Sequence, residues 1–274
     1  MDFSPSHTND CCPAKHTGRN PHALLLALLV LAGCSTALPT RAENPGYDRP
    51  GYGFTPVVLA AGEITLEQGL PDWSRDHLDG VSTAQYSADS VLRVGIGGPL
   101  ELQLGTSPWN ALSQTGAGHT ERNTGHGDST LGLKLALPSP NPAFSWGLLG
   151  SVEFTDGAPA FRSARRQYLL GAQGNLQIGA RQSLGIYVQD LRSAGAGGTL
   201  LALSDNLALG NMLTLYVEAA RLHAAGQHSG LVSGAGLAWS LTPRVQLDAG
   251  FDHRVSGTAP EWQTNLGIAV YFGH

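Results

Sequence analysis

The sequence predicts an all-β fold: an up-and-down antiparallel transmembrane β-barrel of about 12 strands, of the outer-membrane type. Three observations predict it. Segments of roughly ten residues alternate apolar and polar side chains, the period of a strand with oil on one face and water on the other. Turn-forming connections between these segments alternate short and long along the chain. The one continuous apolar run, Ala23 to Ala32, is too short to cross a bilayer as a helix.

Composition narrows the function classes. Of 274 residues, 14% are charged and 36 are Gly, and the formal net charge is −5, which argues against nucleic acid as a partner. A hydrophobic content of 42% is low for a helical membrane bundle and suits strands that show lipid only every second residue.

Residues 1–42 read as a signal peptide, with the apolar run following Lys15 and Arg19. Leu31-Ala32-Gly33-Cys34 resembles a lipobox, in which Cys34 would be lipidated and become the new N-terminus. Cleavage after Ala37 or Ala42, behind Ser35-Thr36-Ala37 or Thr40-Arg41-Ala42, is the competing reading. All three cysteines (Cys11, Cys12 and Cys34) fall in this stretch, so the expected domain has no disulfide and no thiol chemistry. Without residues 1–42 the chain keeps 13 basic residues against 19 acidic ones, a formal charge of −6, and Lys134 is its only lysine.

Residues 43–61 form a Pro- and Gly-rich N-terminal lead-in or plug segment, because Glu43 to Leu59 does not alternate as a spanning strand would. The barrel is expected over residues 62–274. Short turns fall at Gly97-Gly98-Pro99, Pro138 to Pro142, Gly179 to Gln182, Ser204 to Gly210 and Leu241-Thr242-Pro243. Long connections are expected at Pro71 to Thr83, Thr106 to Gly127, Thr155 to Arg165, Leu191 to Gly197, Leu222 to Ser229 and Arg254 to Glu261. The more apolar parity is assigned to lipid, as in Leu131, Leu133, Leu135 and Leu137, or Leu266, Ile268, Val270 and Phe272. Trp146, Trp239 and Trp262 sit near strand ends, where an interfacial girdle wants them. A soluble barrel would alternate with its faces exchanged; the aliphatic continuity of the apolar rows and the strand number favour the membrane.

Several strings resemble the outer-membrane transporter family associated with the meta-cleavage pathway of phenol degradation. They are Asp48-Arg49-Pro50-Gly51-Tyr52-Gly53-Phe54-Thr55-Pro56, Leu66-Glu67-Gln68-Gly69-Leu70-Pro71, Leu100-Glu101-Leu102-Gln103-Leu104-Gly105, Gly127-Asp128-Ser129-Thr130-Leu131-Gly132-Leu133-Lys134 and Gln246-Leu247-Asp248-Ala249-Gly250. The resemblance spans most of residues 48–272. It implies an outer-membrane barrel and, by association, passage of small aromatic or otherwise hydrophobic molecules; it transfers no catalytic residue. One departure is that Gly273 and His274 follow Phe272, where such barrels commonly end on an aromatic residue.

The inward parity carries the candidate lumen-lining residues Glu67, Arg93, Glu101, Lys134, Glu153, Tyr187, Tyr216, Glu218, Asp248 and Tyr271. The charged ones would either line a polar solute path or neutralise one another in a filled barrel, since each buried charge demands a partner. The tyrosines would stack on a phenolic solute or fill volume. His119 and His126 share one loop but match no zinc spacing, so no metal and no cofactor is expected. His253 beside Asp252, and His223 near Glu218, are the only pairings for a hydrolase, without a G-x-S-x-G string. Gly195-Ala196-Gly197-Gly198 reads as a loop, and Arg162, Arg165 and Arg166 cluster where lipopolysaccharide phosphates could meet them. The expectation is a non-enzymatic channel or transporter in the bacterial outer membrane for passive uptake or export of small hydrophobic or aromatic molecules. A lipid or ester hydrolase and a structural outer-membrane lipoprotein are the alternatives. Expected partners are outer-membrane lipid and lipopolysaccharide, the barrel assembly machinery and a small solute.

Overall fold

A strand in lipid must pair both of its edges, because hydrocarbon offers no partner for backbone N–H and C=O groups. The chain meets this demand by closing one sheet on itself. A computed structural model describes residues 46–273 except Gly195. The signal-peptide reading, the cleavage alternatives and Cys34 lie outside the described residues.

Sixteen hydrogen-bonded segments follow one another. The first eight are β1 (Ile64–Gly69), β2 (Asp72–Leu78), β3 (Val81–Ser87), β4 (Ser90–Gly97), β5 (Leu100–Thr106), β6 (Asn110–Gly116), β7 (His119–Gly125) and β8 (Thr130–Leu137). The rest are β9 (Phe144–Glu153), β10 (Gln167–Gln177), β11 (Gln182–Ser193), β12 (Ala196–Ala208), β13 (Leu213–Ala224), β14 (Gly230–Thr242), β15 (Val245–Ser256) and β16 (Trp262–Phe272). Twelve of them form the closed antiparallel ring β1-β4-β5-β8-β9-β10-β11-β12-β13-β14-β15-β16, and β1 pairs β16 from Ile64↔Phe272 to Gly69↔Gly267.

The other four segments continue four of the ring strands outward. β1 and β2 both pair β16, β1 along Gly267–Phe272 and β2 along Trp262–Thr264, so they are one strand interrupted at Leu70-Pro71. β3 and β4, β5 and β6, and β7 and β8 are related in the same way, and β2, β3, β6 and β7 pair as a four-stranded flap. Its hairpin tips are Asp79-Gly80 and Ala117-Gly118, where all four residues have positive φ, the two-residue turn that matches strand twist.

Here the structure corrects the reading of Pro71 to Thr83 and Thr106 to Gly127 as long loops: most of both segments is strand. Lipid-driven alternation cannot reveal strands that stand beyond lipid, and His119-Thr120-Glu121-Arg122-Asn123-Thr124 is polar on both faces. Gly197 and Gly198 likewise lie within β12 and not in a loop. β7 pairs only β6, and charges on such an edge discourage pairing with another chain. At its base the β9–β10 connection closes over it, with Gly157 N and Ser163 N donating to Asp128 and Ser129 N donating to Asp156. That Ser129 amide holds the Asp156 carboxyl below its ordinary value.

Alternation places the faces. Ile186, Val188, Leu203, Val217, Phe251 and Leu266 are exposed on the outside of the ring, flanked by Trp146, Trp239, Phe144 and Phe272 toward the short turns and by Trp262 and Tyr168 toward the long connections. Inside, the half nearer the short turns buries Arg93, Lys134, Glu67 and Glu101, while the half nearer the long connections packs Ala202, Ala220, Val232, Leu200 and Leu222 around Tyr187. The lumen is thus ionic at one end and apolar at the other.

A spanning strand needs only about 9–11 residues, so the flap stands outside the hydrocarbon. Ile186→Arg, on the lipid face in the middle of β11, is expected to cost about 2–4 kcal/mol, whereas Thr124→Arg on β7 should change stability by about 0.5 kcal/mol or less. Urea unfolding in detergent micelles, read by loss of heat-modifiable gel migration, measures both.

Candidate functional site

The segment 46–61 has no strand pairing of its own, yet Phe54 and Leu59 are buried. It runs inside the barrel, and wall carboxylates take up its backbone amides. Glu67 accepts from Asp48 N at 3.0 Å and Arg49 N at 2.9 Å, Glu218 from Tyr52 N at 3.1 Å, Glu101 from Leu59 N at 3.0 Å and Glu63 from Ala60 N at 2.9 Å. Tyr47 Oη donates to the Arg244 carbonyl at the β14–β15 turn. Over β4 the segment passes so close that a Cβ on Gly95 would lie 2.0 Å from the Ala60 carbonyl oxygen, so glycine is required there.

Side chains complete the attachment. Arg93, fully buried on β4, donates Nε and Nη2 to Glu101 at 2.8 and 3.0 Å, and Nη1 to Glu67 at 2.7 Å and to the Gly46 carbonyl at 3.0 Å. Lys134 reaches Asp48 at 2.9 Å and Glu101 at 3.0 Å. Arg49 leaves the segment in the opposite direction, to Asp72 at 3.1 Å on β2 and Asp248 at 3.2 Å on β15. Three cations therefore share five carboxylates, and Asp48 and Arg49 carry the segment's side of the bargain. Phe54 adds packing, its ring edge-on to Tyr187 with centroids 5.7 Å apart and Lys134 Nζ 5.8 Å from its own centroid.

Of the sequence-derived candidates, Glu67, Arg93, Glu101, Lys134, Glu218 and Asp248 all engage this segment. Tyr187 is buried against it, with its hydroxyl donating to Gln189. Tyr216 lies across Gly236 and Gly250, and Tyr271 is buried near the ring's closure between β16 and β1. Glu153 stands apart at the outer end of β9, accepting from Ser163 Oγ and Gln167 Nε2, where it orders a connection. Glu63, Asp72 and Asp252 were absent from the candidates. Asp72 sits at the start of β2, where alternation is weakest; Glu63, just before β1, and Asp252, on β15, are both visible in the alternation as inward acids.

The histidine pairings dissolve on parity. Residues 252 and 253, and residues 218 and 223, have opposite parity, so each histidine faces away from its acid across the sheet. His253 instead packs on Trp262, and His223 Nδ1 lies 3.4 Å from Ser229 Oγ in an exposed connection. Among the described residues no group of three His, Cys, Asp or Glu side chains converges as a metal site.

Two further spaces lie in the barrel, the first of them against the segment. One, about 340 Å³, lies between Tyr52, Glu218, Asp252 and Gln263. The other, about 910 Å³, opens near the long connections and is lined by Leu78, Leu191, Leu200, Leu222 and Pro260.

A closed 12-stranded ring with an aliphatic exterior, an internal segment and a lumen divided into ionic and apolar zones defines an outer-membrane-type barrel. Residues 47–272 match the family described as "Putative MetA-pathway of phenol degradation", and the chain belongs to that family. Among solved structures it resembles an outer membrane channel from Pseudomonas putida F1, with 12% identity, a TM-score of 0.63, and 79% of this chain and 97% of that one covered. It also resembles the KdgM porin in complex with disordered oligogalacturonate, with 9% identity, a TM-score of 0.51, and 77% and 99% covered. At these identities the likeness is one of fold. No curated protein matches the chain.

Removing a buried cation leaves its carboxylates unpaired. Arg93→Ala is accordingly expected to destabilise the folded barrel by about 3–5 kcal/mol, and Arg49→Ala, where both Arg49 and its partner Asp72 are partly exposed, by about 1–2 kcal/mol while loosening residues 46–61. Denaturant titration gives the first quantity; protease cleavage within residues 46–61 of the folded protein reports the second.

Proposed function

We propose that the protein is a channel in the bacterial outer membrane that lets small hydrophobic or aromatic molecules cross passively, with residues 43–61 acting as its plug. One observation carries this reading: an apolar chamber of about 910 Å³ lies above a segment fastened inside the lumen by ion pairs. A hydrophilic pore would have no use for Leu191, Leu200 and Leu222 on its inward parity, since aliphatic side chains facing water lose their transfer free energy. Membership of a family described by phenol degradation supports an aromatic cargo.

The same reading places the chain in the outer membrane after export behind residues 1–42, with Cys34 as the lipidation site if the lipobox is used. Insertion would rely on the barrel assembly machinery, and Arg162, Arg165 and Arg166 would face lipopolysaccharide phosphates. Arg166 lies 5.6 Å from the Phe154 ring, which holds it at the outer rim.

Lipopolysaccharide-bearing vesicles resist apolar solutes, so protein-dependent passage is measurable in them. Entry of the neutral aromatic dye 1-N-phenylnaphthylamine should exceed that of protein-free vesicles and fall about tenfold in Leu200→Asp, which sets an unpaired charge in the chamber. Deleting residues 46–58 should at the same time raise single-channel conductance in planar bilayers. Dye entry no faster than in protein-free vesicles sinks the channel reading; unchanged conductance on deletion sinks the plug.

A further inference from the structure

Among the described residues Asp252 and Glu218 stand side by side without a cation; Glu63, near the short turns, also has none but accepts the Ala60 amide. Asp252 and Glu218 are each 6% exposed. Asp252 has no ion pair, and its Oδ1 has no hydrogen-bond partner among the described residues. Glu218 accepts only the Tyr52 amide and the pair has no cation. The nearest basic residue bordering the cavity, Arg49, is committed to Asp72 and Asp248.

Register brings the two acids together. Glu218 on β13 pairs Gly234 on β14, which pairs Asp252 on β15, so both stand at one level with a glycine between them. A Cβ on Gly234 would lie 2.2 Å from Asp252 Oδ1: the carboxylate leans across the glycine toward β13. Tyr216 lies one step below on the same row of β13, and Tyr52, whose hydroxyl accepts from Gln263 Nε2 at 3.2 Å, borders the space from the internal segment. Above Glu218 the row continues as Ala220 and then Leu222, at the wall of the apolar chamber.

We propose that Glu218 and Asp252, flanked by Tyr52 and Tyr216, bind the ammonium head of a small organic cation whose body occupies the space of about 340 Å³ that they border. Two carboxyls buried side by side cannot both stay ionised without a counter-cation, and an ammonium supplies hydrogen-bond donors to both carboxylates while favouring tyrosine faces. Calcium would need 6–8 oxygens, more than this pair offers, and among the described residues no third acid converges on them. The site rests on the channel reading for its place on a solute path, but binding at it is measured without transport.

The test is calorimetric titration of the full protein, purified from membranes in detergent, with benzylammonium chloride and with its neutral counterpart benzyl alcohol. Benzylammonium is expected to bind the native protein more tightly than the alcohol, and about tenfold or more weaker to Asp252→Asn and to Glu218→Gln, with the alcohol unaffected. Asp252→Asn removes an unpartnered charge, so it should fold at least as well as the native protein; heat-modifiable migration verifies this, and Glu218→Gln provides a second variant. No binding to the native protein, equal binding of the alcohol, undiminished binding to both variants, or displacement by equimolar potassium chloride each overturns the proposal. A protein that binds benzylammonium but passes no dye leaves this site standing and removes only the channel reading.

Discussion

Everything in this molecule depends on the absence of water from the hydrocarbon layer. A backbone group that cannot reach water must find a partner in the chain, and the closing pair β1–β16 is where the sheet finds its last one. Six residues of β1 face six of β16 there, so the ring has no free edge at membrane depth. Only where the strands rise past lipid does an edge appear, on β7, and there the sequence turns charged and polar.

The same rule acts inside the lumen with side chains in place of backbone. Among the described residues, six buried carboxylates, five of them on β1, β5, β13 and β15 and Glu63 just before β1, have to be satisfied, and where water is excluded their partners must come from the chain. The chain answers with its own N-terminal segment: amides of residues 48, 49, 52, 59 and 60 meet Glu67, Glu218, Glu101 and Glu63. Neutralisation and filling, which look like alternatives to a lined path when only the strands are considered, are one arrangement. Most of the acids are satisfied because a separate piece of chain enters the ring beside Arg93 and Lys134.

Most of the ring was legible because lipid writes a strong pattern. A β-strand exposes every second residue to one solvent, and rows such as Leu131, Leu133, Leu135 and Leu137 have no other simple reading. The flap was not legible, since strands wetted on both faces carry no contrast between faces. Inward residues could be identified by parity, but their partners could not: nothing in the spacing of Arg93, Glu101 and Lys134 shows that Asp48, from an unpaired segment some 40 or more positions earlier, completes their cluster. Parity was also enough to refuse His253–Asp252 and His223–Glu218 as catalytic pairs, a step that the residue numbers alone allow. The division of the lumen was half visible, in that Leu200 and Leu222 share the parity of polar neighbours and break the expected row.

Why the internal segment is held by charges and not by packing alone follows from what each kind of contact costs. A buried ion pair contributes little net stability compared with well-packed apolar groups, yet it is demanding in geometry, because a cation moved by a few ångströms leaves its carboxylate bare. Arg93, bonded to the Gly46 carbonyl and paired with Asp48 while its other donors hold Glu101 and Glu67, therefore fixes where the segment lies more firmly than it fixes how tightly it is bound. Phe54 against Tyr187 supplies packing at one point, and Arg49 reaches the far wall at the buried Asp248 and the partly exposed Asp72. A segment held in this way is specific in position and modest in depth, with its ion pairs toward the short turns and its packing, through Phe54 on Tyr187, toward the long connections.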